Sequence, residues 1–227
     1  MTRVTGVRDV GIASVGRMDT LVAPQRTGLR TPAWLLALSP LGFVAVVALG
    51  AATFVGSGID DTAFMTPGQM ADIRVAWLAF WPVYAAAVSV GAVGLILLGR
   101  TLAAGLAKAA QVAAGLSIAA VLGNLALNWS MVGFDRSRLG EHPAYDTSIF
   151  LSLLAIWLGA LGAGLAGLAL RRAGILPRTG LVVAIVAAVL IVVDTAVTQG
   201  AMPPFTVSFL WLALGIGLLR HRVPSSS

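Results

Sequence analysis

Cysteine is absent from the 227 residues, which excludes disulfides, thiolate metal centres, thiol nucleophiles and haem anchored through sulfur. Charge is scarce as well, at 11% of residues, where a soluble domain carries about a quarter. Histidine occurs twice, as His142 and His221, neither inside an apolar run. Also missing are G-x-S-x-G, H-E-x-x-H and G-x-x-x-x-G-K-[ST], the patterns that build a nucleophile elbow, a zinc helix and a phosphate loop. With no histidine within an apolar segment to act as base or haem ligand, neither an enzymatic activity nor a cofactor is expected.

What the chain has in abundance is apolar length. Hydrophobic residues make up 58% and the mean hydropathy is +0.93. One such run, Leu181 to Thr198, holds one charge, Asp194, and about 18 residues suffice to cross a hydrocarbon layer of about 30 Å. Six such spans are expected, at Trp34 to Val55, Ala76 to Leu98, Leu106 to Leu127, Ser148 to Leu170, Leu181 to Thr198 and Phe205 to Leu219. The last is short and needs Pro203 and Pro204 as its first turn. The expected fold is therefore all-α, a polytopic transmembrane helix bundle over residues 34–220. A disordered basic tail (1–33) precedes it and a short tail (221–227) follows. The basic tail shows no cleavable signal, and Met18 offers an alternative start. Thr66-Pro67-Gly68-Gln69 has the form of a capping box, which predicts that the second helix begins before its apolar part.

Orientation follows from the basic residues, fourteen of which are Arg and one Lys. Twelve fall beside one set of span ends and three, Arg74, Arg136 and Arg138, beside the other. Basic residues stay cytoplasmic, so both termini are expected there. Trp77, Trp81 and Trp129 then fall at an outer aromatic belt and Trp34 at an inner one. The net charge of +6 is explained by this placement, and no nucleic-acid partner is expected.

Three constellations are candidates for function. An ionisable group in a span is expensive and faces a partner, a cavity or a pathway, so Asp194 is either bonded to a neighbouring helix or part of a ligand site. Ser117, Asn124 and Asn128 recur at i, i+7 and i+11, one stripe of a helix, and either line a cavity or bond across helices. Asn124 lies as far beyond Lys108 as Asp194 lies beyond Arg178, a parallel consistent with a duplicated two-helix unit. Gly159, Ala163 and Gly167 form a small-residue face for close helix packing, inside the bundle or against another subunit. Asp135, Glu141, His142 and Asp146 lack a metal-ligand spacing, so no metal is expected and the loops that hold them read as solvated.

From Gly167 the chain reads GLALRRAGILPRTGLVVAIVAAVLIVVDT and then MPPFTVSFLWLALGIGLLR. The Arg-x-Gly-x-x-Pro-Arg turn and the short last span ending in Trp-x-x-x-Gly and a basic residue resemble a broad group of small actinobacterial membrane proteins. That resemblance implies a six-helix bundle in a bacterial cytoplasmic membrane and carries no activity or site residues. The partners expected are the lipid bilayer and either another membrane subunit or a small molecule. Two roles follow: a non-enzymatic accessory subunit, or a small-molecule binding or transport protein with its site near Asp194 and Asn124.

Overall fold

The computed structural model describes residues 26–102, 105–135, 137–198 and 204–221, with side chains from residue 28. Residues 1–25, Met18 among them, together with Arg136, Pro203 and Arg222, lie outside the described residues. Among the described residues every regular element is helical. Six helices are present: α1 (Arg26–Gly50), α2 (Pro67–Leu102), α3 (Gly105–Ser130), α4 (Tyr145–Arg172), α5 (Pro177–Ala196) and α6 (Thr206–Arg220). The first five are long and apolar enough to cross a membrane, and α6 is a shorter apolar helix.

The helix ends follow local chemistry. Thr66 and Gln69 cap α2 reciprocally: the Thr66 N–H donates to Gln69 Oε1 at 2.9 Å, and the Gln69 N–H donates to Thr66 Oγ1 at 3.4 Å. Pro67 then opens the helix, where its missing N–H costs nothing. At the end of α4, Gly174 has φ +70°, and the N–H groups of Gly174 and Ile175 donate back to the carbonyls of Arg171 and Leu170, both at 3.0 Å. This Gly-closed turn, followed by Pro177 at the start of α5, explains the Arg-x-Gly-x-x-Pro-Arg pattern physically. Helix α1 corrects the expected disordered tail, since it begins at Arg26 and takes in residues 26–33. Tertiary contact holds this first part: Gly28 lies against Thr101 at the end of α2, and the backbone of Ala33 lies against Gly215 of α6.

Each helix packs antiparallel on the next, and α6 returns to α1, so the bundle closes as a ring with α2 and α4 touching across it. Small residues make the approaches possible. Gly42 meets Ala87 between α1 and α2, Gly162 meets Ala110 between α3 and α4, and Gly167 meets Gly180 between α4 and α5. Without water to expel from between apolar helices, such close backbone contact supplies the dispersion energy that holds them. Trp211 of α6, wholly buried, lies in the notch left by Gly91 and donates its indole N–H to the Gly159 carbonyl at 3.4 Å.

A second, smaller core caps one end of the ring. Its buried members are Ile59 and Met65 from the α1–α2 connection, Met70, Ile73 and Trp77 from α2, and Met131 and Leu139 from the α3–α4 connection. The Leu139 N–H donates to the Met65 carbonyl at 3.0 Å and ties the two loops together. Arg138 covers the Phe64 ring at 5.4 Å, and Thr62 Oγ1 lies 3.0 Å from the Tyr145 hydroxyl. The two loops thus form one folded cap, whose charged side chains Asp60, Asp61, Asp135, Arg138, Glu141 and Asp146 are exposed as expected.

Candidate functional site

Beneath the cap, α1, α2, α3 and α4 part to leave a cavity of about 350 Å³. That volume is in the range of small-molecule sites, about 300 to 1,000 Å³. The aromatic wall comes from α2, where Trp77, Phe80 and Trp81 lie on one broad helical face. Phe54 joins them from a π-helical turn, Ala51–Val55, that continues α1. Phe54 meets Trp77 and Phe80 edge-on at 6.1 and 5.8 Å, and Trp81 meets Phe80 edge-on at 5.0 Å. The polar wall comes from α3 and α4 through Asn124, Asn128, Ser148 and Ser152. Among the described residues, no charged side chain lines the cavity.

Two atoms set this wall apart. Among the described residues, the buried polar side-chain atoms without a hydrogen bond are Asn124 Oδ1 and Trp81 Nε1, and both residues line this cavity. Asn124 is 1% exposed, and its Nδ2 donates to the Ser148 carbonyl across the α3–α4 interface at 2.6 Å. A carbonyl only accepts, so the amide nitrogen must face Ser148 and the amide oxygen is the group left over. An unsatisfied buried polar group costs about 1 to 3 kcal/mol. The wall of the cavity therefore holds one unpaired acceptor and one unpaired donor, both covered in this conformation, among aromatic and uncharged residues.

The remaining hydroxyls are already engaged. Tyr84 and Ser152 are bonded to each other at 3.1 Å, Ser148 donates to the Tyr145 carbonyl at 2.7 Å, and Tyr145 holds Thr62 of the cap. Indole groups fasten α2 to α3 on either side of the cavity. Trp77 Nε1 donates to the Asn128 carbonyl at 3.0 Å, and Trp129 Nε1 donates to the Leu78 carbonyl at 3.2 Å.

The residues singled out by the sequence fall in three places. Asn124 and Asn128 line the cavity, and Asn128 Nδ2 donates to the Asn124 carbonyl at 2.9 Å. Ser117, on the same stripe, donates to the Ala155 carbonyl at 2.7 Å and stays within the α3–α4 interface. Asp194 is on α5, against the other side of α4, where its Oδ2 accepts from Trp157 Nε1 at 2.6 Å and its Oδ1 from Thr198 Oγ1 at 2.7 Å. It does not line the cavity, so Asp194 and Asn124 do not form one site. Gly159 and Gly167 face Trp211 and Gly180, and Ala163 between them is fully buried. Glu141 accepts from Ser137 Oγ, while the ring of His142 meets Phe134 edge-on at 4.7 Å. Among the described residues, no three His, Asp or Glu side chains gather as a metal site.

Trp81, Phe54, Tyr84 and Ser152 were not singled out as site residues. Trp77 and Trp81 read as belt residues, yet Trp77 is 2% exposed and Trp81 lies half-buried beside it. The usable signal was the i, i+4, i+7 recurrence of Trp77, Trp81 and Tyr84. No family model, curated protein or solved structure matches the chain.

Proposed function

We propose that the chain is a six-span membrane protein, with both termini in the bacterial cytoplasm, that binds an uncharged small molecule in the capped cavity. Five apolar helices of crossing length support the membrane reading, and α6 supports a sixth crossing because it is packed between α1 and α5 as a full member of the ring. The twelve-to-three distribution of basic residues supports the orientation. The observation that carries the binding role is the pair of unpaired atoms, Asn124 Oδ1 and Trp81 Nε1, in the wall of one cavity. The accessory-subunit role drew on the Gly159, Ala163, Gly167 face and on the outer loops; the face packs on Trp211 and Gly180 within the bundle, and the loops keep that role as the second reading.

The test is native mass spectrometry of the protein purified gently from its own membranes. A stoichiometric small-molecule adduct is expected on the wild type. Trp81→Phe, which keeps an aromatic ring but removes the donor together with part of the indole, is expected to reduce its occupancy at least about tenfold, the factor that corresponds to about 1.4 kcal/mol. An adduct equally abundant in Trp81→Phe and Asn124→Leu would remove the cavity from the binding role, as would its absence from the wild type.

A further inference from the structure

A second chamber of about 290 Å³ adjoins the cavity and shares with it Phe54, Phe80, Trp81, Ser152 and Pro204. Its own walls are Val46, Val47 and Gly50 of α1, Tyr84 of α2, and Phe205 just before α6. Among the described residues its polar side-chain groups are the hydroxyls of Tyr84 and Ser152, which are bonded to each other, and the indole N–H of Trp81, which it shares with the first chamber, so Val46, Val47, Gly50 and Phe205 add apolar surface alone. Val47 is 51% exposed and continues the outward row of Leu41 and Val44, so among the described residues the chamber reaches the flank of the bundle. That flank is the one α1 turns toward hydrocarbon under the six-span reading. Tyr84 lies eighteen residues before Leu102, about 27 Å along α2 from the terminal end, which sets the chamber in the outer half of the bilayer.

The two chambers differ in chemistry along one continuous path. The first has an unpaired donor and an unpaired acceptor among aromatic rings; the second adds apolar surface and meets the lipid. We infer that the ligand is a neutral lipid whose hydroxyl head occupies the first chamber and whose hydrocarbon chain runs through the second into the outer leaflet. A neutral hydroxyl can both accept and donate a hydrogen bond, which matches in kind an indole N–H donor and an amide-oxygen acceptor. An anionic or cationic head is disfavoured, because no side chain of opposite charge lines either chamber and a buried unpaired charge is costly. This assignment rests on the binding role proposed above and adds to it the class of ligand and its route of entry.

The experiment measures thermal stabilisation of the full chain in mild detergent with four probes: 1,2-dioleoylglycerol, glycerol, oleate and 1,2-hexanediol. Dioleoylglycerol alone is expected to raise the melting temperature in a saturable manner. Val47→Trp, which fills the chamber mouth from an exposed position, is expected to weaken that response at least tenfold with the lipid-free melting temperature unchanged. Gly50→Ala, whose Cβ meets the Phe80 ring at 3.2 Å inside the chamber, reads the same lipid response should Val47→Trp fold poorly. Equal stabilisation by hexanediol with no effect of either variant would overturn the lipid chain and leave the cavity as a site for small solutes. Equal stabilisation by oleate would overturn the neutral head. No response to any probe would overturn the lipid assignment, and with a wild type free of adduct in the mass spectrum it would overturn the binding role too.

Discussion

At the scale of single residues, the two polar groups that drew attention in the sequence have opposite fates. Asp194 is enclosed and engaged, with an indole on one oxygen and a hydroxyl on the other. Asn124 is equally enclosed and keeps an oxygen unpaired beside a cavity. Asp194→Asn replaces one acceptor by an NH2 group that cannot serve both donors. The expected result is a loss of about 1 to 2 kcal/mol in thermal or denaturant unfolding, with occupancy of the cavity unchanged. Lost ligand in that variant would return Asp194 to the site. The polarity of both positions was legible, because polar residues are conspicuous in an apolar run. Which one was satisfied was not, because that depends on a carbonyl of Ser148 and an indole of Trp157 supplied from another helix. Trp81 was hidden for a different reason. An indole near a span end reads as an interfacial anchor, and only packing tells an anchor from a wall.

At the scale of elements, helix ends were read best where the signal is local. The Thr66–Gln69 box and the Gly174, Pro177 turn each state their structure within a few residues. Thr66→Ala removes the hydroxyl that receives the Gln69 N–H and is expected to cost about 1 kcal/mol, seen as faster amide exchange in the first turn of α2. Unchanged exchange there would mean that the cap core rather than the box fixes this end. The start of α1 was missed because it depends on Thr101 and Gly215, which are distant in sequence. The π-helical turn at Ala51–Val55 was missed because AATFV carries no breaker, yet it brings Phe54 to both chambers. Helices interrupted in this way are frequently functional.

For the whole molecule, composition and apolar periodicity made the all-helical class and the number of helices legible. The ring closure, the cap and the cavity were not, since each arises where several helices meet. The proposed orientation is directly measurable, because a chain without cysteine accepts a single reporter thiol. In intact cells a membrane-impermeant maleimide is expected to label Ser137→Cys in the cap and to spare Ala173→Cys in the α4–α5 turn. The reverse pattern would invert the molecule. The place of Trp211 also dictates an order of assembly. Its notch is cut by Gly91 and Gly159, from the second and fourth helices, while Trp211 itself belongs to the last. The chain emerges from its N-terminus, so α2 and α4 are made before the indole that fills the notch between them. Closure of the ring then depends on the fifteen-residue α6, which brings that indole into place.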